Sequence, residues 1–281
     1  MINFNGTLLE KDAQYFNVAN RGLRYGDALY ETIRVVNGKL FFWEDHYLRL
    51  MASMRIMRMD IPMHFTMEYL ENEIQKTINS NKLQESATRV RLTVYRNDGG
   101  FYTPEINTIS CVIEANEISN VFYEKLDSKH EVALFKDHWV NPGLLSTLKT
   151  NNKLIHVLAG IYAKENNYDN CLLLNQQKNV VEAVNGNIFL VKGSIIKTPP
   201  LTDGCLNGIL RKQILRIIDK TKDYDIEEVS ISPFELQKAD ELFITNVIIG
   251  IQSVYKYRKK LYASKVGGEL LGKLNAIARF S

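Results

Sequence analysis

A chain of 281 residues, 45% hydrophobic and 24% charged, carries enough apolar side chain to bury a core, which excludes a disordered or collagen-like polymer. Thirty-five Lys and Arg against 32 Asp and Glu leave a formal charge of +3, and the longest basic run is Arg258-Lys259-Lys260, so neither nucleic acid nor a membrane surface is an expected partner. Cys111, Cys171 and Cys205 form no C-x-x-C pair, which argues against a disulfide framework or a cysteine zinc site and fits a reducing compartment.

The first twenty residues include Glu10, Lys11 and Asp12 and show no secretory signal, so a cytoplasmic location is expected. Alternation predicts a strand at 33–36, stopped by Asn37-Gly38. Helical spacing follows twice. Leu48, Met51, Ala52, Met54, Arg55 and Met59 mark a Met-rich face, and Tyr69, Leu70, Ile74 and Ile78 mark a second. The Met-rich face is expected to fill core, because Met adapts to irregular gaps. A second strand at 89–95 ends at Asn97-Asp98-Gly99-Gly100. A seam near 116–128 divides the chain into an expected small domain at 1–118, a linker at 119–128 and a larger domain at 129–281.

Beyond the seam the pattern predicts a strand at 131–135, a helix at 151–165, and strands at 170–174 and 186–191. A turn follows at Pro199-Pro200 and Thr202-Asp203-Gly204, and Asn207-Gly208 opens a helix through Ile209, Leu210, Ile214 and Ile217. The apolar window 242–254, interrupted by Thr245, Asn246 and Gln252, is too short to span a membrane and reads as a buried strand-turn-helix. Trp43 and Trp139 are expected to pack. The architecture read from these elements is two mixed α/β (α+β) domains, with small-molecule binding expected in the cleft between them.

The five histidines, His46, His64, His130, His138 and His156, have no metal-ligand spacing, so no metal is expected. The chain also lacks G-x-S-x-G, G-x-x-x-x-G-K-[ST] and G-x-G-x-x-G, which removes the warrant for a serine hydrolase, a P-loop or a Rossmann fold.

Asn20-Arg21-Gly22-Leu23-Arg24-Tyr25-Gly26-Asp27-Ala28-Leu29-Tyr30-Glu31-Thr32-Ile33-Arg34, followed by His46-Tyr47-Leu48-Arg49-Leu50, resembles the opening of the class IV aminotransferases, the fold-type IV pyridoxal-phosphate enzymes. The resemblance continues through Leu148-Lys149-Thr150-Asn151-Asn152-Lys153-Leu154, Val181-Glu182-Ala183-Val184-Asn185-Gly186-Asn187-Ile188-Phe189, Asn207-Gly208-Ile209-Leu210-Arg211 and Ile244-Thr245-Asn246. These blocks, in order, cover nearly the whole chain. They imply pyridoxal 5'-phosphate as cofactor and a D-amino acid aminotransferase-like fold, with a small α+β domain ahead of a larger α/β pseudo-barrel. They also imply at least a homodimer acting on small amino acids and oxo acids.

That cofactor needs a lysine amine, an acid at its ring nitrogen and a phosphate cradle. By resemblance, Lys149 is the covalent attachment point and proton carrier, a use favoured when desolvation lowers a lysine pKa. Glu182 is the ring acid. The helix start at Gly208, Ile209 and Leu210 offers unpaired N–H groups and a dipole end to a phosphate. Arg49 is implied as the phosphate arginine, Asn246 as part of a second phosphate-side turn, and Leu206 as the side chain packing on the ring. Tyr30 and Glu31 are implied on the substrate side, with Tyr25 supplied by a partner subunit. Among Arg89, Arg91 and Arg96, Arg91 is the preferred ligand for a substrate carboxylate.

Within the family, Tyr30-Glu31-Thr32-Ile33-Arg34-Val35 looks like the aminotransferases. Leu154 and Leu210 instead depart toward 4-amino-4-deoxychorismate lyase, and the stretch from Asn97 to Tyr102 resembles a lyase loop without its arginine. The reading chosen is an aminotransferase of branched-chain or D-amino acid type, with the lyase as the alternative. A non-catalytic ligand-binding protein on this fold would need a lost lysine, and Lys149 is present.

Overall fold

The computed structural model describes residues 1–125 and 129–280. Residues 126–128 of the expected linker, and Ser281, lie outside the described residues. Two compact units are present: Met1–Val121 with Lys149–Asn152, and Phe122–Leu148 with Lys153–Phe280.

The first unit is built on an antiparallel six-stranded sheet. In chain order it contains β1 (Ile2–Phe4), β2 (Thr7–Leu9), α1 (Arg21–Tyr25), β3 (Ala28–Val36), β4 (Lys39–Leu40), α2 (Trp43–Ile56), α3 (Met67–Ser80), β5 (Ala87–Arg96) and β6 (Ile109–Glu117). The sheet order is β2-β1-β6-β5-β3-β4. β5 alternates as its sequence predicts: Val90, Leu92 and Val94 are buried, while Arg89, Arg91 and Thr93 are half-buried. Register sets Tyr30 against Thr93 and Thr32 against Arg91. α3 starts at Thr66, whose side chain accepts from the Tyr69 N–H at 3.1 Å, and buries Leu70, Ile74 and Ile78 as spaced.

The methionines of the expected α2 face, Met51 and Met54, are buried, but the rest of that face is not. Trp43, His46, Leu50, Met51, Ser53 and Met54 are buried, whereas Leu48, Ala52 and Arg55 are exposed. Met59 is buried beyond the end of the helix. A polar stripe through His46 and Ser53 breaks the hydrophobic reading, yet both side chains bury because each finds a hydrogen-bond partner.

The second unit contains β7 (Glu131–Leu134), α4 (Leu154–Glu165), β8 (Asn170–Leu174), β9 (Val180–Ala183), β10 (Asn187–Lys192), β11 (Ile195–Thr198), α5 (Ile209–Thr221), β12 (Asp225–Glu228) and α6 (Pro233–Lys238). β13 (Glu241–Asn246), β14 (Gly250–Ser253), β15 (Lys256–Tyr257), β16 (Lys260–Leu261) and α7 (Lys265–Ala278) complete it. Two five-stranded mixed sheets, β12-β11-β10-β13-β14 and β16-β15-β7-β8-β9, enclose a core to which both contribute, Leu134, Leu172 and Leu174 from one and Ile188, Leu190 and Leu242 from the other. Ser232 and Glu235 form a capping box around α6, with Pro233 in its first turn.

Two sequence expectations change here. The window 242–254 is a strand-turn-strand, β13 and β14, and no helix follows the turn. Asn246 Oδ1 accepts from the N–H groups of Ile248 and Ile249, and Gly250 takes φ +83°, so the chain reverses tightly and Ile251 pairs back with Thr245. The helix expected from 151 begins at Leu154. Residues 149–152 are held instead against the start of β3: the Tyr30 N–H donates to the Lys149 carbonyl at 2.9 Å, and the Asn151 N–H to Ala28 at 3.0 Å. This pairing is why Lys149–Asn152 belongs to the first unit.

Candidate active site

In the first unit the opening motif is partly architectural. Asn20 caps α1 by accepting from the Leu23 N–H at 2.8 Å, and Gly26 closes that helix at φ +64°, where a Cβ would meet Asn152 Oδ1 at 2.3 Å. Asp27 is paired with Arg21 at 3.0 Å and Arg96 at 2.9 Å. Arg21 also donates to the carbonyls of Gly99 and Phe101, so it holds the loop that resembles the lyases. Arg96 donates further to the Met57 and Arg58 carbonyls and to Asn107, which makes it a structural arginine.

The alternation of β3 then separates Tyr30 from Glu31. Tyr30 lies beside the half-buried residues of β5: the Arg91 guanidinium sits 3.9 Å from its ring centroid and Lys149 Nζ 4.5 Å. Burial raises the Tyr30 pKa, with Arg91 opposing, so its hydroxyl stays protonated at neutral pH. Arg91 is positioned by Thr93 Oγ1 at 3.3 Å and Asn151 Oδ1 at 3.4 Å. Tyr25, at the end of α1, lies under the Arg21 guanidinium and against the Tyr102 ring.

Glu31, expected to face a substrate, faces α2 instead. It is 2% exposed, and Arg49 grips it with Nε on Oε1 at 2.8 Å and Nη2 on Oε2 at 2.5 Å. His46 Nδ1 adds a contact to Oε2 at 2.7 Å. His46 and Arg49, three residues apart on α2, share one helix face. Burial alone would raise the Glu31 pKa, but the Arg49 charge and the His46 bond bring it down to about 2. Burial holds the His46 pKa below its ordinary value, so Nδ1 carries the shared proton and Nε2 is left buried without a partner.

The second unit brings together the remaining candidates. Glu182, on β9, is 4% exposed; its Oε1 lies 2.9 Å from His156 Nε2, and its Oε2 accepts from the Leu206 N–H at 3.0 Å. Burial opposes ionisation, but the His156 bond, the Lys153 charge and the Leu206 amide outweigh it, so the pKa is lowered and the carboxylate stays charged. The Leu206 carbonyl accepts from Asn187 Nδ2 at 2.8 Å, which leaves its half-buried side chain as the part that can meet a ligand.

No side chain caps α5, so its first amides lack a side-chain acceptor. The side chains of Ile209 and Leu210 are buried, and only their backbone is offered. A Cβ on Gly208 would stand 2.0 Å from Asn187 Oδ1, and one on Gly186 would stand 2.5 Å from the Thr245 carbonyl. Asn187 and Thr245 are register partners across β10 and β13, and Thr245 Oγ1 is buried with no hydrogen-bond partner among the described residues. An uncapped helix start and a stranded buried hydroxyl, brought close by the tight packing at Gly186 and Gly208, are donors of the kind a phosphate takes up.

Three residues of these groups escaped the sequence reading: His46, His156 and Thr245. Each stood inside or beside a quoted block, but a histidine at helical spacing and a threonine in an apolar strand carry no local signal of their partners.

The sequence matches the amino-transferase class IV family over residues 28–257. The chain belongs to that family. Its members are pyridoxal-phosphate enzymes. A Methanocaldococcus jannaschii protein, provisionally assigned as a branched-chain-amino-acid aminotransferase, is 31% identical over 97% of this chain and 93% of its own length. D-Alanine aminotransferase of Bacillus licheniformis is 27% identical over 86% of this chain and 83% of its own. Among solved structures, branched-chain aminotransferase of Thermoproteus uzoniensis superposes with a TM-score of 0.86 at 24% identity, covering 99% and 94% of the two chains. 4-Amino-4-deoxychorismate lyase of Pseudomonas aeruginosa does so at 0.82 and 23%, covering 98% of each. Class IV aminotransferases and a lyase therefore share this fold, and the fold alone does not separate the two reactions.

Proposed function

We propose that this class IV aminotransferase moves an amino group between a small apolar amino acid, of branched-chain or D-amino acid type, and a 2-oxo acid. The observation that carries the reading is Lys149, whose backbone is pinned to β3 and whose amine, like the Arg91 guanidinium, is set against the Tyr30 ring. Bound pyridoxal phosphate supplies an electron sink that acidifies the substrate Cα–H. Lys149 Nζ would be the point of covalent attachment and would serve as the base that takes the substrate Cα proton and gives it back. Glu182, kept ionised by His156 and the Leu206 N–H, holds the proton on the ring nitrogen. In the second unit, Gly208, Ile209, Leu210 and the Thr245-Asn246 turn would hold the phosphate; in the first, Glu31 and His46 position Arg49, which the resemblance implies as a phosphate ligand. Arg91 binds the substrate carboxylate, and Tyr30 and Tyr25 wall the apolar part.

The resemblance supports a small domain at 1–118 and a cofactor-binding domain at 129–281, with a homodimer as the working form in the cytoplasm. Among the described residues no helix is long and apolar enough to cross a membrane. The test is chemical. Borohydride reduction of the holoenzyme followed by peptide mapping is expected to place the label on the peptide containing Lys149. Label on Lys153 or Lys136 would overturn the assignment. Lys149→Ala is expected to lose the covalent link and turnover together.

A further inference from the structure

The second unit carries another cleft, built from residues to which no catalytic or cofactor role is given above. Leu134 and Leu174 belong to the core between its two five-stranded sheets and also line a cavity of about 360 Å³, which therefore opens at the mouth of that core. Trp139 and Phe234 stand in its wall. Trp139, expected to pack, is instead 47% exposed and lines the cavity. A smaller cavity of about 160 Å³ shares Leu134, Lys136 and Arg258 with the first, so the two form one cleft with an apolar and a polar lobe.

The charge of this cleft is one-sided. Lys136, Lys178 and Arg258 line it, and among the described residues none of them has an ion-pair partner and no acidic side chain lines either lobe. Lys178 and Arg258 both occupy left-handed backbone positions, at φ +64° and +54°, and so are fixed by tight turns. Tyr257 lines the polar lobe; it is 1% exposed, and its buried hydroxyl has no hydrogen-bond partner among the described residues. A stranded buried hydroxyl beside uncompensated cations is the environment an anionic oxygen satisfies.

We propose that this cleft is a second ligand site for a small carboxylate with an aromatic or branched apolar body. The body lies against Trp139 and Phe234, and the carboxylate meets Lys136, Lys178 and the planar fork of Arg258. The volume suits a molecule of that size, and the apolar lobe discriminates against a bare anion. The proposal stands apart from the aminotransferase reading, since it uses none of the residues assigned to catalysis or cofactor.

The protein contains its own reporter, because Trp43 is buried and Trp139 is the other of only two tryptophans. In holoenzyme carrying Trp43→Phe, 4-phenylbutanoate is expected to change Trp139 emission saturably, and the neutral amide of the same acid to bind at least about ten-fold more weakly. Lys178→Gln and Arg258→Gln are each expected to weaken the carboxylate several-fold while leaving transamination unchanged. Inorganic phosphate should give no saturable change. Calorimetric titration of the wild-type holoenzyme with the acid and its amide reads the same discrimination without the tryptophan substitution. Absence of saturable binding, equal affinity for acid and amide, an equal response to phosphate, or affinity indifferent to both substitutions would each overturn the proposal.

Discussion

Glu31 is the residue whose environment departs most from what its neighbours in sequence imply. A buried carboxylate survives only with partners, and Arg49 and His46 supply them from one face of α2. Its folded pKa of about 2, against 4.5 outside, means that the unfolded chain takes up a proton first on acidification. The resulting stabilisation, roughly 3 kcal/mol, is present above pH 4.5 and is lost as pH falls toward 2. Glu31→Gln should therefore be destabilised at pH 7, with its deficit relative to wild type shrinking below pH 4.5 in denaturant titrations; a deficit constant down to pH 3 would refute the linkage. His46, with its pKa lowered by burial, acts in a higher window. Below 6.5 the unfolded state protonates this histidine more readily than the folded state does, so His46→Asn should flatten the fall in stability as pH drops below 7. His130, also lowered by burial, leaves a residual slope. Glu182→Gln is expected to slow the chemical step by about 10² or more while cofactor stays bound, as single-turnover kinetics would show. Cofactor loss in place of slowed chemistry would assign Glu182 to binding.

At the scale of elements, the start of α5 is the most constrained place in the second unit. Gly208 has φ −72°, a value any residue can adopt, so its need for glycine is steric. An added Cβ would displace Asn187 Oδ1, and because Asn187 Nδ2 holds the Leu206 carbonyl, the disturbance reaches the segment that donates to Glu182. Gly208→Ala is expected to destabilise the protein by about 1–3 kcal/mol and to raise the pyridoxal-phosphate dissociation constant, measured by thermal unfolding and equilibrium dialysis. Unchanged affinity would remove this helix start from the phosphate site. The β13–β14 hairpin illustrates a different limit. Its apolar run is equally compatible with a helix, and the turn at Asn246 and Gly250 decides against one.

At the scale of the whole molecule, the reaction is the open distinction, and the side chains that raised it carry little of it. Leu210 is buried in α5, and Leu154 opens α4 at 70% exposure in this chain. Holoenzyme mixed with a panel of L- and D-amino acids, without an acceptor, is expected to show a stoichiometric spectral conversion with a small apolar donor, because half of a transamination needs no second substrate. No conversion, together with pyruvate release from aminodeoxychorismate, would select the lyase.

The order of motifs, the alternation of the strand that carries Arg91, and the helix start at Gly208 were legible in the sequence because each depends on spacing along one segment. Glu31 with Arg49 and His46, Glu182 with His156, and Lys149 with Tyr30 were not. Their partners lie 15 to 26 residues apart in the first two pairings and more than a hundred in the third, and only packing brings them together. Local periodicity determined which elements form. The tertiary structure decided which polar side chains are buried against each other, because a buried charge is set by the partner it finds, and that partner is invisible to the residues beside it in the chain.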